Sequence, residues 1–165
     1  MQKDLSAEAD RERDRLRPGE ASLDHPLPSD ANLSFIGEIT TPWHCRAECP
    51  RQGNIDGPDC VIEVFEPWQA ALAGIEAFGS LEVLYWLDRS RRDLVLQKPA
   101  KSRTVVDTFA LRSPARPNPI GTSIVKLVTR NGPRLVVRGL DCVTGTKLID
   151  LKPDRCLFTP KAAEK

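Results

Sequence analysis

Ten consecutive residues hold the densest chemistry in this chain: Arg112-Ser113-Pro114-Ala115-Arg116-Pro117-Asn118-Pro119-Ile120-Gly121. The two guanidiniums are planar forks that take a carboxylate or phosphate bidentately or lie on a π face. Prolines 114, 117 and 119 remove three backbone donors and fix φ, so neither a helix nor a central strand can run through. The segment is therefore a stiff loop that loses little entropy on ordering. Apolar runs flank it, Val105 to Leu111 before and Ile120 to Val128 after. A rigid charged loop between two strands is a natural binding site.

Charge is unevenly placed. Residues 1–31 carry five Lys/Arg against eight Asp/Glu, a net −3, and residues 32–165 carry 19 against 15, a net +4. Between Arg89 and Arg116 stand eight cations and only Asp93 and Asp107, a local +6. Such a patch is the electrostatic footprint of a phosphate-rich partner, and equally that of a solvated loop. Trp43, Tyr85 and Trp86 are the aromatics able to stack on a base. Trp86 lies in an apolar run and reads as core, whereas Trp43, in a polar loop beside His44, reads as the better platform. His44, Cys45, Cys49 and Cys60 could ligate a metal, but their spacing matches no standard zinc or iron–sulfur pattern, so no metal is expected.

Several short strands must position these residues. The patterning predicts strands at Leu33–Ile39, Cys60–Phe65, Leu81–Leu87, Leu94–Leu96, Thr104–Leu111, Ser123–Thr129, Arg134–Leu140 and Lys147–Lys152. One short helix is expected at Trp68–Gly74, closed by its glycine. Asn131-Gly132 reads as a hairpin turn adjusted by Pro133. The expected fold is mainly β, a single small β-barrel with a short helix. No βαβ alternation and no G-x-G-x-x-G loop is present, so a Rossmann cofactor site is not indicated. Residues 1–31 read as a charged, largely disordered tail with a partial helix at Leu5–Leu16, residues 32–156 as the barrel domain and 157–165 as a C-terminal tail. The five cysteines, odd in number and unpatterned, argue against a disulfide framework. No apolar run reaches a membrane span, and the chain reads as cytoplasmic.

Separated motifs then make a family legible. Ile36-Gly37-Glu38-Ile39, Pro50-Arg51-Gln52-Gly53 and Gly74-Ile75-Glu76-Ala77-Phe78 precede the Arg112–Gly121 loop. Gly139 to Thr146 and Ile149-Asp150-Leu151-Lys152-Pro153 follow it. In this order they resemble the TsaA-like family (also called YaeB or VirR), whose characterised members are the TrmO tRNA methyltransferases. The resemblance spans about residues 33–153. It implies a non-Rossmann barrel that binds S-adenosylmethionine and works as a homodimer. The activity implied is N6-methylation of threonylcarbamoyl-adenosine beside the tRNA anticodon. It also implies cofactor contacts from Pro50, Arg51 and Gln52, from Asp88 and Arg89, from Arg112, from Thr122, and from Asp141, Cys142, Val143 and Thr144. Arg116 and Asn118 are assigned to the substrate. The chain departs from the family where Asp88-Arg89 replaces a His-Gln type of pair and where Thr144 replaces an aspartate. Longer relatives also carry a C-terminal domain.

Bland readings stand beside these assignments. Arg112 could tie its loop to Asp107 or Asp141, Asp141 could close an Asx-turn, and Asn118 could only brace its own turn. The acceptor nitrogen is amide-like, so a proton acceptor would help. His44 and Asp88 have usable chemistry, and neither is singled out. The alternatives to a tRNA methyltransferase are a cofactor- or RNA-binding regulatory module without catalysis, or a small-molecule methyltransferase.

Overall fold

A computed structural model describes residues 15–24, 30–99 and 102–155. The helix expected at Leu5–Leu16 and the tail 157–165 lie largely or wholly outside those residues. Among the described residues nine strands run in chain order: β1 (Ala21–Ser22), β2 (Gly37–Thr40), β3 (Cys60–Val64), β4 (Ser80–Trp86), β5 (Leu94–Gln97), β6 (Val106–Asp107), β7 (Ile120–Asn131), β8 (Arg134–Arg138) and β9 (Thr146–Pro153). Six of them close an antiparallel barrel in the order β2-β3-β8-β7-β4-β9, with β9 returning to β2. The other three form a small sheet, β1-β5-β6.

Alternation along each barrel strand explains the closure. Leu81, Val83 and Tyr85 of β4 point inward while Glu82, Leu84 and Trp86 are half-buried on the other face. Ile39, Ile62, Leu81, Val83, Val125, Leu135, Val137 and Leu148 are fully buried and fill the interior. Burying each such side chain contributes about 1.5–3 kcal/mol, and closing the sheet leaves the barrel no exposed edge.

The mainly β barrel expected from the patterning is present, with local differences. Of Thr104–Leu111 only Val106–Asp107 is strand; Thr108–Ala110 turns into a 3-10 helix. There Thr108 Oγ1 donates to the carbonyl of Leu94 at 2.7 Å, a local bond that competes with a strand ladder. The helix expected at Trp68–Gly74 is a 3-10 turn, Trp68–Leu72, followed by a second at Ile75–Ala77. Gly74, at φ 83°, begins the second turn rather than closing the first. The β7–β8 loop is Gly132-Pro133, with Asn131 paired to Arg134, one residue later than the Asn-Gly pattern suggests. Proline takes a loop position because it has no donor for the ladder.

Part of the segment read as a tail is structured. Ala21 and Ser22 pair with Leu96 and Leu94 of β5, and Leu23 N–H donates to the Asp93 carbonyl at 2.7 Å. Glu20 accepts from the Lys98 backbone, and Arg17 donates to the Lys98 carbonyl. Charge-rich composition hid this strand, because its bonds are to backbone and need no apolar stripe.

Candidate functional site

Strand polarity gathers four loops at one end of the barrel. There β2, β4 and β8 finish while β3, β7 and β9 begin, as the pairs Ile39–Thr146, Cys60–Val137, Trp86–Ile120 and Trp86–Lys147 require. The connections 41–59, 87–93, 112–119 and 139–145 therefore share one rim. They carry Pro50 to Gln52, Asp88 and Arg89, Arg112 to Asn118, and Asp141 to Thr144.

The loops are fastened to one another. A Cβ on Gly53 would lie 1.7 Å from the Gly139 carbonyl oxygen, so the Pro50–Gly53 stretch rests directly on the backbone after β8. Arg138 pairs with Asp59 at 2.5 Å and anchors the far end of the same loop. Thr41 Oγ1 donates to the Cys142 carbonyl at 2.9 Å, and the Thr144 and Gly145 amides donate to the carbonyls of Trp43 and Ile39, each at 2.8 Å. Arg46 donates to the Arg89 carbonyl at 3.0 Å. The Leu87 amide donates to the Pro119 carbonyl at 2.9 Å, which sets the Asp88-Arg89 corner beside the proline-rich loop.

That loop has its own supports, which sequence reading missed. Buried Gln97 donates through Nε2 to Thr108 Oγ1 at 2.9 Å and to the Ala115 carbonyl at 2.6 Å. Arg92 donates to the Pro117 carbonyl at 2.7 Å while its guanidinium lies 5.4 Å from the centre of the Trp86 ring. Three prolines leave carbonyls without their usual partners, and Gln97 and Arg92 supply donors. Arg91 pairs with Asp93 at 2.6 Å. Part of the +6 segment is thus internal structure rather than a surface for a partner.

The individual candidates divide as follows. Arg51, Gln52, Asp88, Arg89, Arg112 and Asn118 are exposed at the rim, and Pro50 is half-buried. Among the described residues no ion pair joins Arg112 to Asp107 or Asp141, so its guanidinium is not the internal tie considered above. Arg116 is half-buried and donates to the Leu111 carbonyl at 3.1 Å, which bends it back into its own loop. The Asn118 carbonyl accepts from the Ile120 amide at 2.8 Å, so backbone rather than side chain closes that turn. Cys142 and Val143 are buried, and their carbonyls are taken by Thr41 Oγ1 and by Thr146. Thr122 is not brought to the rim cluster: it faces out of the barrel on β7 and donates to Glu82 at 3.1 Å. Trp43, read as the better stacking platform, is half-buried and packs one side against the core. His44 is exposed, and its backbone amide donates to Glu48 at 2.7 Å. Among the described residues no group of three His, Cys, Asp or Glu side chains could hold a metal.

Asp141 is held in a different way from an Asx-turn. Tyr85, 3% exposed, donates its hydroxyl to Asp141 Oδ1 at 2.5 Å, and its oxygen lies 2.8 Å from Ser123 Oγ. Burial, reinforced by the Asp141 charge, pushes the Tyr85 hydroxyl's pKa up, so it remains a donor at any physiological pH. Burial also raises the Cys60 thiol to about 11 and the Cys142 thiol to about 12, which makes both unreactive. A signal for the tyrosine was available in the sequence: a Tyr on the inward side of an apolar strand needs a hydroxyl partner.

Residues 38–156 match the family described as the tRNA-methyltransferase O N-terminal domain. A probable S-adenosyl-L-methionine-binding protein, VirR, of Rhizobium radiobacter is 53% identical over 148 residues, covering 90% of this chain and 85% of that protein. The tRNA (adenine(37)-N6)-methyltransferase of Escherichia coli is 32% identical over 136 residues, covering 76% of this chain and 58% of the enzyme. The crystal structure of TrmO from Pseudomonas aeruginosa superposes with a TM-score of 0.65 at 26% identity. The superposition covers 84% of this chain and 60% of that one, so the chain spans about three fifths of the solved structure's length.

Proposed function

Because this chain belongs to the tRNA-methyltransferase O N-terminal domain family, we propose that it binds S-adenosyl-L-methionine at the loop-bearing rim of the barrel and methylates tRNA. The observation that carries this reading is the convergence of four motif-bearing loops, far apart in sequence, on one barrel end. The donor set suits the cofactor. Arg112 and Arg51 are exposed guanidiniums able to fork onto a carboxylate. Asp141 Oδ1 is taken by Tyr85, and Oδ2 has no partner among the described residues, so it can accept from a ribose hydroxyl or an ammonium.

When bound, S-adenosyl-L-methionine supplies an electrophilic methyl group on a sulfonium. The chain's part is to align an incoming nitrogen with that methyl and keep water out. The fastened loops serve that purpose, since tethers between them limit how far any one can drift. Pro50, Arg51, Gln52, Asp88, Arg89, Arg112 and the 141–144 turn are the proposed cofactor contacts. With the Cys142 and Val143 carbonyls engaged inside the fold, their backbone amides are the groups proposed to meet adenine. Asn118, exposed where the proline-rich loop enters β7, is proposed to face the substrate, and Arg116 shapes that loop.

The acceptor within tRNA is proposed to be N6 of threonylcarbamoyl-adenosine beside the anticodon, which sets the reaction in the cytoplasm. The working unit is proposed to be a homodimer. Light scattering on the purified protein would measure the mass, and a monomer at working concentration would refute the dimer.

Isothermal calorimetry with S-adenosyl-L-methionine tests the central claim, and a protein that shows no saturable binding refutes it. A non-catalytic binding module is the second reading. It is favoured by the description of the Rhizobium relative as a binding protein and by the Asp88-Arg89 corner. Methyl transfer to total tRNA from cells lacking the gene separates the two.

A further inference from the structure

We infer that Tyr85 and Ser123 are positioning residues that set the carboxylate of Asp141 for the cofactor, and that Gly121 exists to admit the Tyr85 ring. The inference rests on the reading of Asp141 as a cofactor ligand. Its starting point is a proton count. A carboxylate only accepts, so the bond between Tyr85 Oη and Asp141 Oδ1 uses the phenolic proton. The contact between Tyr85 Oη and Ser123 Oγ, 2.8 Å, must then be donated by the serine. The result is a directed chain, Ser123 to Tyr85 to Asp141, in which each donor strengthens the next. Ser123 Oγ also lies 3.4 Å from the same Asp141 oxygen, which draws the three groups into one cluster.

Each member comes from a different motif-bearing element. Tyr85 lies near the end of β4, Ser123 near the start of β7, and Asp141 on the loop after β8. Tyr85 and Ser123 are buried, at 3% and 9% exposure, and only Asp141 reaches the rim. With Oδ1 held by Tyr85 and Ser123, Oδ2 is without a partner among the described residues and is the oxygen left for a ligand. The ring that delivers the hydroxyl crosses the backbone of Gly121, its direct partner on β7. A Cβ there would stand 2.1 Å from Tyr85 Cε2 and within 2.6 Å of two further ring carbons, so any other residue would displace the tyrosine. The glycine that ends the proline-rich motif thereby couples that motif to the Asp141 turn across the barrel interior.

Tyr85 is the chain's only tyrosine, which makes the test direct. Calorimetry on the full chain compares Tyr85→Phe, Asp141→Asn and the double variant. Loss of one hydrogen bond to a charged group predicts about tenfold weaker binding of S-adenosyl-L-methionine for Tyr85→Phe. The double variant should bind no more weakly than Asp141→Asn alone, whereas thermal unfolding of the two single variants need not follow that pattern. Losses of affinity that multiply would overturn the inference. Unchanged affinity in Asp141→Asn removes the premise and the inference with it. Weakened binding in Asp141→Asn with normal binding in Tyr85→Phe overturns the positioning role alone. Should Tyr85→Phe fail to fold, protein grown with 3-fluorotyrosine carries a single fluorine resonance. It should move on saturation with S-adenosyl-L-methionine, and not in Asp141→Asn; a resonance unmoved at saturation is the contrary result.

Discussion

Gly53→Ala is the most exacting perturbation of the rim, because its effect is almost purely steric. Gly53 has no left-handed φ, so alanine costs it nothing in backbone preference. The added Cβ would stand 1.7 Å from the Gly139 carbonyl oxygen and 2.4 Å from its carbon, both backbone atoms. Contacts under 3.0 Å are essentially never made by real Cβ atoms, so the two loops must part by about 1.3 Å. Gly139 cannot yield freely, since a Cβ built on it would stand 2.9 Å from the Ile124 carbonyl oxygen and 3.3 Å from Val125 Cα, so backbone crowds it from behind, and its φ of 116° suits glycine alone. The 50–53 stretch therefore lifts from the 139–145 loop and takes Arg51 and Gln52 with it. Overpacking of this kind costs about 1–3 kcal/mol, and a shift near 1 Å in a positioning element can cost on the order of 100-fold in function. We expect S-adenosyl-L-methionine affinity to fall by about 10- to 100-fold. The melting temperature should drop by roughly 2–12 °C for a chain of this size. Gly79→Ala is the control, because a Cβ there meets nothing within 4 Å and its φ is ordinary. Calorimetry and thermal unfolding measure both. Wild-type affinity in a folded Gly53→Ala protein would refute the claim that loop contact organises the rim.

Gln97→Ala should free the proline-rich loop, raising hydrogen exchange across 108–119 and lowering stability by about 1–3 kcal/mol, with no change in strands β2 and β3. Arg112→Ala should abolish cofactor binding, whereas Arg116→Ala, which loses a loop bond, should spare it; equal losses in calorimetry would contradict the division. Cys60, Cys142 and Tyr85 all have folded pKa values above their ordinary ones, so each favours the folded state fully at lower pH. Above about pH 9 the unfolded chain loses these protons and the folded one does not, so stability should fall steadily towards pH 11–12. A melting temperature flat between pH 8 and 10.5 would count against it, and Cys142→Ala should make the fall shallower. A chain beginning at Asn32 lacks β1 and should melt lower than the full chain, because the Ala21–Leu96 and Ser22–Leu94 pairs are gone.

Alternation in Leu33 to Ile39 and the apolar runs Cys60 to Phe65 and Leu81 to Leu87 made the barrel strands legible as segments, while which face of β4 is buried came only with the fold, since apolar Leu84 and Trp86 lie on its outer side. The prolines at 114, 117 and 119 likewise excluded regular structure by their own covalent geometry, and separated motifs in order were enough to indicate the family. Other features had no local signal. Ala21–Ser22 is a strand only because β5 offers it an edge, and Thr108 leaves the strand only because the Leu94 carbonyl lies within reach. Thr122 immediately follows the Arg112–Gly121 motif, yet the period of two on β7 turns it outward to Glu82. Tyr85, Ser123 and Asp141 are 38 and 18 residues apart, and barrel closure alone brings their three oxygens together. Residue type and spacing determine which groups can do chemistry and which segments can be strands. Only tertiary structure decides which groups meet, because strand pairing and closure set distances that no pattern along the chain encodes.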